Sequence, residues 1–180
     1  MSDPDLTYAQ VNLNEGLDTV TLPKTFNCGD SVLDKYVTSG NLKRAIKAEN
    51  LHATGLFDES QTLIGFMTLG FALLDKARVK TFLRSNQPPQ LPVAKIIMIA
   101  VDSRYQGRGL GTDLMLEAFT KAVSVHRTIP LKGVYLDAAP GKATFYSEMF
   151  GFTALEEPST ATSTPMYIPI QDIIAALCEG

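Results

Sequence analysis

Gln106-Gly107-Arg108-Gly109-Leu110-Gly111 stands between the apolar run Lys95-Ile96-Ile97-Met98-Ile99-Ala100-Val101 and the amphipathic run Thr112-Asp113-Leu114-Met115-Leu116-Glu117-Ala118-Phe119. The first run predicts a buried strand and the second a helix. Three glycines at alternate positions let the backbone approach a ligand closely and aim several N–H groups one way. A helix opening at that point adds the positive end of its dipole. The stretch is suited to holding a pyrophosphate.

The spacing narrows the choice of pyrophosphate. A dinucleotide fold needs Gly-x-Gly-x-x-Gly near its start and an acid about 20 residues on. Here the third glycine follows the second by two residues, past the middle of the chain. A Walker loop would end in Gly-Lys-Ser/Thr, whereas Gly111 is followed by Thr112-Asp113. Gln-x-x-Gly-x-Gly is instead the spacing of an acyl-CoA pyrophosphate loop. The alternative is a plain helix start with turn glycines, and the strand before and helix after weigh against it.

The ordered set of motifs resembles the GNAT superfamily of acetyl-CoA-dependent N-acetyltransferases. Its parts are Ile96–Val101, the loop Gln106–Gly111, the run Gly133–Ala138, and Phe145-Tyr146 followed by Gly151-Phe152. The resemblance runs from Phe26 to about Phe152. Within the superfamily the chain is most similar to the GNAT toxins of bacterial toxin–antitoxin pairs. Phe26-Asn27-Cys28-Gly29-Asp30-Ser31-Val32-Leu33 looks like their Phe-x-Cys/Ser-Gly-x-x-x-Leu pattern. Pro92-Val93 leading to Ala100-Val101-Asp102 looks like their Pro-Val…Ala-Val-Asp stretch.

The resemblance implies a fold and a set of site residues. The fold is α/β, a mixed central sheet splayed at the acyl-CoA site and flanked by helices. Acetyl-CoA is the co-substrate and no metal ion is called for. Its pyrophosphate lies on the backbone of Gln106, Gly107, Arg108, Gly109, Leu110, Gly111 and Thr112. Its pantetheine arm runs along Met98, Ile99, Ala100 and Val101, with a backbone N–H there aimed at the thioester oxygen. Tyr146 is the candidate catalytic acid, since a phenol of pKa about 10 can protonate a thiolate whose thiol titrates near about 8.5. Packing beside Phe145 is the competing role for that ring. Two departures from the family pattern stand out: Gly151 follows Tyr146 at five positions rather than four, which suggests an extra helical residue or a bulge. Ala139 replaces an asparagine that often contacts the cofactor.

Length and composition bound the rest. With 180 residues, residues 1–180 are most simply one domain. Hydrophobic content of 45% and charged content of 19% are those of a soluble globular chain. The acidic start Met1-Ser2-Asp3-Pro4-Asp5 lacks an apolar signal region. The apolar stretch Leu63 to Leu74 is too short to span a bilayer, so no membrane partner is expected. Cys28 and Cys178 show neither metal spacing nor a disulfide framework, which makes the reducing cytoplasm the default.

Periodicity and breakers outline the elements. Ser31 caps a helix running to about Ala48, with Leu33, Tyr36, Val37, Leu42 and Ile46 on its apolar face. His52 to Asp58 and Leu63 to Ala72 are strands around the turn Glu59-Ser60-Gln61-Thr62. Asp75 caps a short helix to Arg84, ended by Pro88-Pro89. Val93–Val101 is a strand, Gly109 to about Arg127 a helix, Gly133–Ala138 a strand and Gly141 to Phe150 a short helix. The run Pro158 to Pro165 is a loop. Met166–Ile170 is a strand and Ile173 to Leu177 a terminal helical turn. Alternation after Val93 predicts a parallel strand pair.

General-base candidates are weaker. Asp102 and Asp137 lie at strand ends, where such residues more often cap turns. His52, His126 and Cys28 read as structural, so direct attack by the amine is more economical than a covalent enzyme intermediate. From Lys76 to Arg108 the basic residues Lys76, Arg78, Lys80, Arg84, Lys95, Arg104 and Arg108 face Asp102 alone, although the whole chain carries −3. Lys43, Arg44 and Lys47 add to this. The excess suits either an RNA backbone or a solvated face. The toxin-like resemblance implies a charged tRNA as amine acceptor, an antitoxin as partner and a homodimer. A small-molecule or protein amine acceptor, and an acyl-CoA-binding module without turnover, are the alternatives.

Overall fold

The computed structural model describes residues 6–83, 86–155 and 162–178. Strand β1 (Tyr8–Asn12) leads into a short helix α1 (Leu13–Gly16), and α2 (Ser31–Thr38) and α3 (Asn41–Lys47) follow. Next come β2 (His52–Asp58), β3 (Leu63–Asp75), a kinked 3-10 segment (Lys76–Phe82) and β4 (Gln90–Val101). A 3-10 turn (Ser103–Tyr105) and the glycine loop precede α4 (Leu110–Thr128). The chain closes with β5 (Gly133–Ala138), α5 (Ala143–Phe150), β6 (Thr153–Ala154), β7 (Thr164–Pro169) and α6 (Ile170–Cys178). The seven strands form a mixed sheet in the order β1-β2-β3-β4-β5-β7-β6. The fold is α/β, as the motif order predicts.

The chain falls into two compact units: Met1–Gly70 with Ile97–Ala118, and Phe71–Ile96 with Phe119–Gly180. In the first, β1 and β3 flank β2 in antiparallel register, with Val11 opposite Gly55 and Thr54 opposite Met67. Its core gathers Leu13, Phe26, Leu42, Ile46, Phe57 and Phe66, with Phe26 and Phe66 edge to face at 5.7 Å. In the second, β4 and β5 run parallel from Val93↔Gly133 to Ile96↔Leu136, where their register ends. β5 pairs antiparallel with β7 from Gly133↔Pro169 to Ala138↔Thr164. Leu74, Val79, Leu91, Val93, Tyr135 and Tyr167 fill that unit's core.

Several expectations need correction. The helix predicted from Ser31 to about Ala48 is two helices, because Gly40 sits in the left-handed region at φ +79 and breaks the hydrogen-bond ladder. Its cap is Asp30, whose carboxylate accepts from the N–H groups of Val32 and Leu33, while Ser31 is already helical. Asp75 does cap the next segment, accepting from Ala77, but that segment is 3-10 and kinked at Val79. Its expected end at Arg84 lies outside the described residues, as does Pro158 to Ala161 of the predicted loop. Thr164 and Pro165 begin β7, and α6 extends well beyond the terminal turn expected.

Candidate functional site

The glycine loop is positioned by what anchors its entry. Asp102 directly follows β4 and is 1% exposed. Its carboxylate accepts from the Arg104 backbone N–H (3.1 Å), Arg104 Nε (2.8 Å) and the other guanidinium arm (3.1 Å), and from Asn27 N–H (3.4 Å). The Asp102 N–H donates to Ile64 O at 2.8 Å, and Ser103 N–H to Asn27 O at 2.7 Å. Burial alone would push this carboxyl up, but the donors from Arg104 and Asn27 outweigh it and hold the group below its ordinary pKa. An ionised, fully engaged carboxylate is a poor base. Asp102 is a cap that ties the Phe26–Gly29 motif to the end of β4.

The loop itself turns on Gly107 and Gly109, at φ +75 and +87, conformations costly for any side chain. The Gln106 side chain is committed inward: its Nε2 donates to Cys28 O and to Val101 O, each at 2.9 Å. The N–H groups of Thr112 and Asp113 return to Gly109 O at 3.0 and 3.1 Å. Thr112 therefore offers no free amide, contrary to its place among the expected phosphate contacts. The N–H groups of Gly109, Leu110 and Gly111 have no partner among the described residues. They head a 19-residue helix, the longest among the described residues, at the positive end of its dipole. Arg104, paired with Asp102, and Arg108 place their guanidiniums 5.7 and 5.9 Å from the Tyr105 ring centre, and the exposed Arg108 adds positive charge at the loop.

Gly111 differs from its neighbours. It is helical, its φ is not positive, and a methyl group added there would meet nothing within 4 Å. Neither backbone nor packing asks for glycine, although glycine in a helix costs up to about 1 kcal/mol relative to alanine. A cleft of about 510 Å³ elsewhere in the same unit, bordered by Leu13, Glu15, Lys47 and His52, involves none of Met98–Thr112.

In β4, Met98 N–H donates to the Thr68 hydroxyl at 3.1 Å. Ile97 is 44% exposed and Met98 and Ile99 are half-buried, whereas Ala100 is buried. The strand is therefore partly open to solvent at Ile97–Ile99, within the stretch that the family resemblance assigns to the pantetheine arm.

Tyr146 lies on α5, which is continuous from Ala143 to Phe150 with no bulge. Gly151 reverses the chain at φ +76, its N–H returning to Ser147 O (3.0 Å) and that of Phe152 to Tyr146 O (3.3 Å). The Tyr146 ring packs against Phe145, Phe150 and Phe152 with centroids 5.4, 6.5 and 6.1 Å apart. Its hydroxyl has no hydrogen-bond partner among the described residues, and burial raises its pKa above the ordinary tyrosine value. Such a phenol stays protonated at neutral pH, as a proton donor must.

The other candidates are accounted for locally. Asp137 accepts from Tyr135 Oη (2.7 Å) and pairs with Lys95 Nζ (2.9 Å). Burial works against its charge, but those donors prevail and its pKa is lowered. Cys28 is pushed up to about 11, chiefly by burial, so its thiol is no nucleophile. His126 accepts from Leu131 N–H at 3.1 Å, and His52 Nε2 lies 3.3 Å from the Thr54 hydroxyl. Of the basic run, Arg78 bonds Tyr135 Oη (3.3 Å), Lys95 pairs with Asp137 and Arg104 with Asp102. Lys76 and Lys80 are exposed, as are Lys43, Arg44 and Lys47 on α3; Arg84 lies outside the described residues. Among the described residues no group of three or more His, Cys, Asp or Glu could hold a metal ion, and no helix is long and apolar enough to cross a membrane.

Comparison with known proteins adds a family and relatives. The family model described as the Acetyltransferase (GNAT) family matches residues 28–152. The tRNA-acetylating toxin of Mycobacterium tuberculosis is 27% identical over 128 residues, covering 71% of this chain and 76% of that protein. A solved structure described as a bacterial toxin is 34% identical, with a TM-score of 0.88 and 97% of each chain covered. AtaT complexed with acetyl-methionyl-tRNAfMet superposes with a TM-score of 0.82 over 95% of this chain and 99% of its own. At 20% identity that likeness speaks for the fold alone.

Proposed function

Because this chain belongs to the acetyltransferase (GNAT) family, we propose that its acetyl-CoA-dependent N-acetyltransferase activity is directed at the α-amine of aminoacyl-tRNA. Residues 1–180 serve as one acetyltransferase domain. The observation that carries the cofactor assignment is the set of unpaired N–H groups at Gly109, Leu110 and Gly111, beside a helical glycine the fold does not require. These amides hold the pyrophosphate, with Gln106, Gly107 and Arg108 shaping and charging the loop. Met98, Ile99, Ala100 and Val101 line the pantetheine arm, and a β4 amide polarises the thioester carbonyl.

The amine nitrogen attacks that carbonyl carbon directly and the C–S bond breaks. Tyr146 gives its phenolic proton to the departing thiolate. Asp102 and Asp137 are poor bases, since both are bonded and held ionised. Water therefore takes the proton the amine loses. The likeness to a relative named a tRNA-acetylating toxin supports the tRNA acceptor, and with it we propose an antitoxin partner and a cytoplasmic setting. Exposed Lys43, Arg44, Lys47, Lys76 and Lys80 would meet phosphates. We also propose that the protein works as a homodimer.

One finding favours a second reading. Arg78, Lys95 and Arg104 spend their charge on internal partners, which leaves less of the basic run for RNA and suits a small or protein amine. A single assay separates the two. The protein is incubated with acetyl-CoA and pooled aminoacyl-tRNAs, and the amino acids released by hydrolysis are examined for N-acetylation. Acetylated amino acids are the expected result. None, alongside turnover of a polyamine or a protein amine, rejects the tRNA acceptor and keeps the acetyltransferase.

A further inference from the structure

We propose that Thr68 is a positioning residue for the transfer: its hydroxyl holds the Met98 amide toward β3, which aims the next amide, that of Ile99, at the thioester oxygen. The inference rests on the acetyl-CoA reading above and names the β4 donor that reading leaves open.

Thr68 is 0% exposed, and its Oγ1 accepts from Met98 N–H at 3.1 Å. A backbone amide inside a sheet normally meets a backbone carbonyl, so a side-chain acceptor here marks a departure from the regular ladder. Two more contacts fix which way β4 faces. Asp102 N–H donates to Ile64 O on β3, and Ala100 O lies 3.2 Å from where a side chain on Gly65 would begin. Met98, Ala100 and Asp102 thus turn their polar groups to β3. Alternation along an extended strand sends those of Ile97, Ile99 and Val101 the other way. Val101 agrees, its carbonyl being taken by Gln106 Nε2.

On that other edge the β4–β5 register has ended at Ile96↔Leu136. Ile97 is exposed and Ile99 half-buried, so a ligand can reach the Ile99 amide. Thr68 is suited to the task because branching at Cβ restricts its rotamer and complete burial keeps water from competing for the Met98 N–H. An oxyanion donor acts through its aim, and a displacement of about 1 Å can lower a rate by on the order of 10²-fold.

The test reads the bound thioester itself and needs no acceptor. Acetyl-CoA labelled with ¹³C at the carbonyl is bound to the protein, and its carbonyl stretch is compared with that of free acetyl-CoA by difference infrared spectroscopy. In the wild type the stretch falls on binding. In T68V, matched in shape but lacking the acceptor, it returns toward the free value while acetyl-CoA still binds. In T68S, which restores the hydroxyl, it falls again as in wild type. A T68V stretch equal to wild type would reduce Thr68 to packing and overturn the proposal. Should T68V not fold, T68S and T68C give the same comparison, a hydroxyl against a weakly accepting thiol of similar size. Failure of the underlying reading looks different: wild type would then not bind acetyl-CoA, or would bind it with no shift.

Discussion

Gln106 reaches Cys28 across 78 positions of sequence, its Nε2 donating to the Cys28 carbonyl at 2.9 Å while also donating to Val101 O. One side chain thereby fastens the glycine loop both to the strand that precedes it and to the turn before α2. Both acceptors are backbone atoms, so the contact depends on an amide at position 106 rather than on its neighbours' side chains. Gln106→Leu, similar in size but without a donor, should leave the fold intact at a cost of about 1 kcal/mol. The loosened loop should bind acetyl-CoA roughly tenfold more weakly, because the ordering cost then falls on binding. Thermal melts and calorimetric titration measure the two effects, and unchanged affinity would count against a preorganising role.

Gly111 offers a test in which stability and binding move in opposite directions. Its methyl position is open and its φ is not positive, so Gly111→Ala should raise the stability of the free protein by up to about 1 kcal/mol. The same methyl group would stand where the pyrophosphate approaches and weaken acetyl-CoA binding. Gly111→Val should abolish it. A variant that is more stable and binds as before would remove the phosphate from this helix end.

For Tyr146, replacement by phenylalanine keeps the ring contacts with Phe145, Phe150 and Phe152 and removes only the proton. Single-turnover transfer should slow by roughly 10²–10⁴-fold with acetyl-CoA affinity nearly kept. Burial raises the pKa of this phenol, so the acid form persists through neutral pH and the wild-type rate should fall only above about pH 10. A rate within a few-fold of wild type, at unchanged pH dependence, would make Tyr146 a packing residue.

Asp102 links stability to pH. Its folded pKa is lowered, so its contribution is present above the unfolded value of about 3.9 and is lost as pH falls through the folded one. Asp102→Ala should cost about 1–3 kcal/mol at neutral pH, by leaving the Asn27 and Arg104 donors without their acceptor. Melting curves of the two proteins should converge in acid. A gap that does not narrow as pH falls below the ordinary aspartate range would point to packing instead of the charge.

Lys43→Glu combined with Lys80→Glu reverses two exposed charges distant from the glycine loop in sequence. Binding of aminoacyl-tRNA should weaken, and its salt dependence should shallow by about 0.7–0.9 in log–log slope for each phosphate no longer neutralised. Acetyl-CoA affinity should not change. Equal tRNA binding by the variant and the wild type would place the RNA elsewhere or remove it.

Local pattern determined what depends on residues close together in the chain. The strand before the loop, the helix after it and β5 were legible because apolar periodicity and glycine conformations act over a few residues. The motif Phe145-Tyr146…Gly151-Phe152 was legible through the family resemblance, and its extra residue proved to sit in a continuous helix closed by a left-handed glycine. Strand β1 went unseen although Ala9-Gln10-Val11-Asn12 alternates apolar and polar, because so short a run is a weak signal and Tyr8–Asn12 is held extended by its pairing with β2. Only the tertiary structure decided the fate of the polar side chains. Asp102 and Asp137 read as candidate bases until burial beside Arg104 and Asn27, and beside Lys95 and Tyr135, made them bonded and ionised. Thr68 meeting Met98, 30 positions away, left no mark in either local pattern. A hydrogen bond between distant residues depends on how strands register and pack, and neighbouring residues in the sequence carry no record of it.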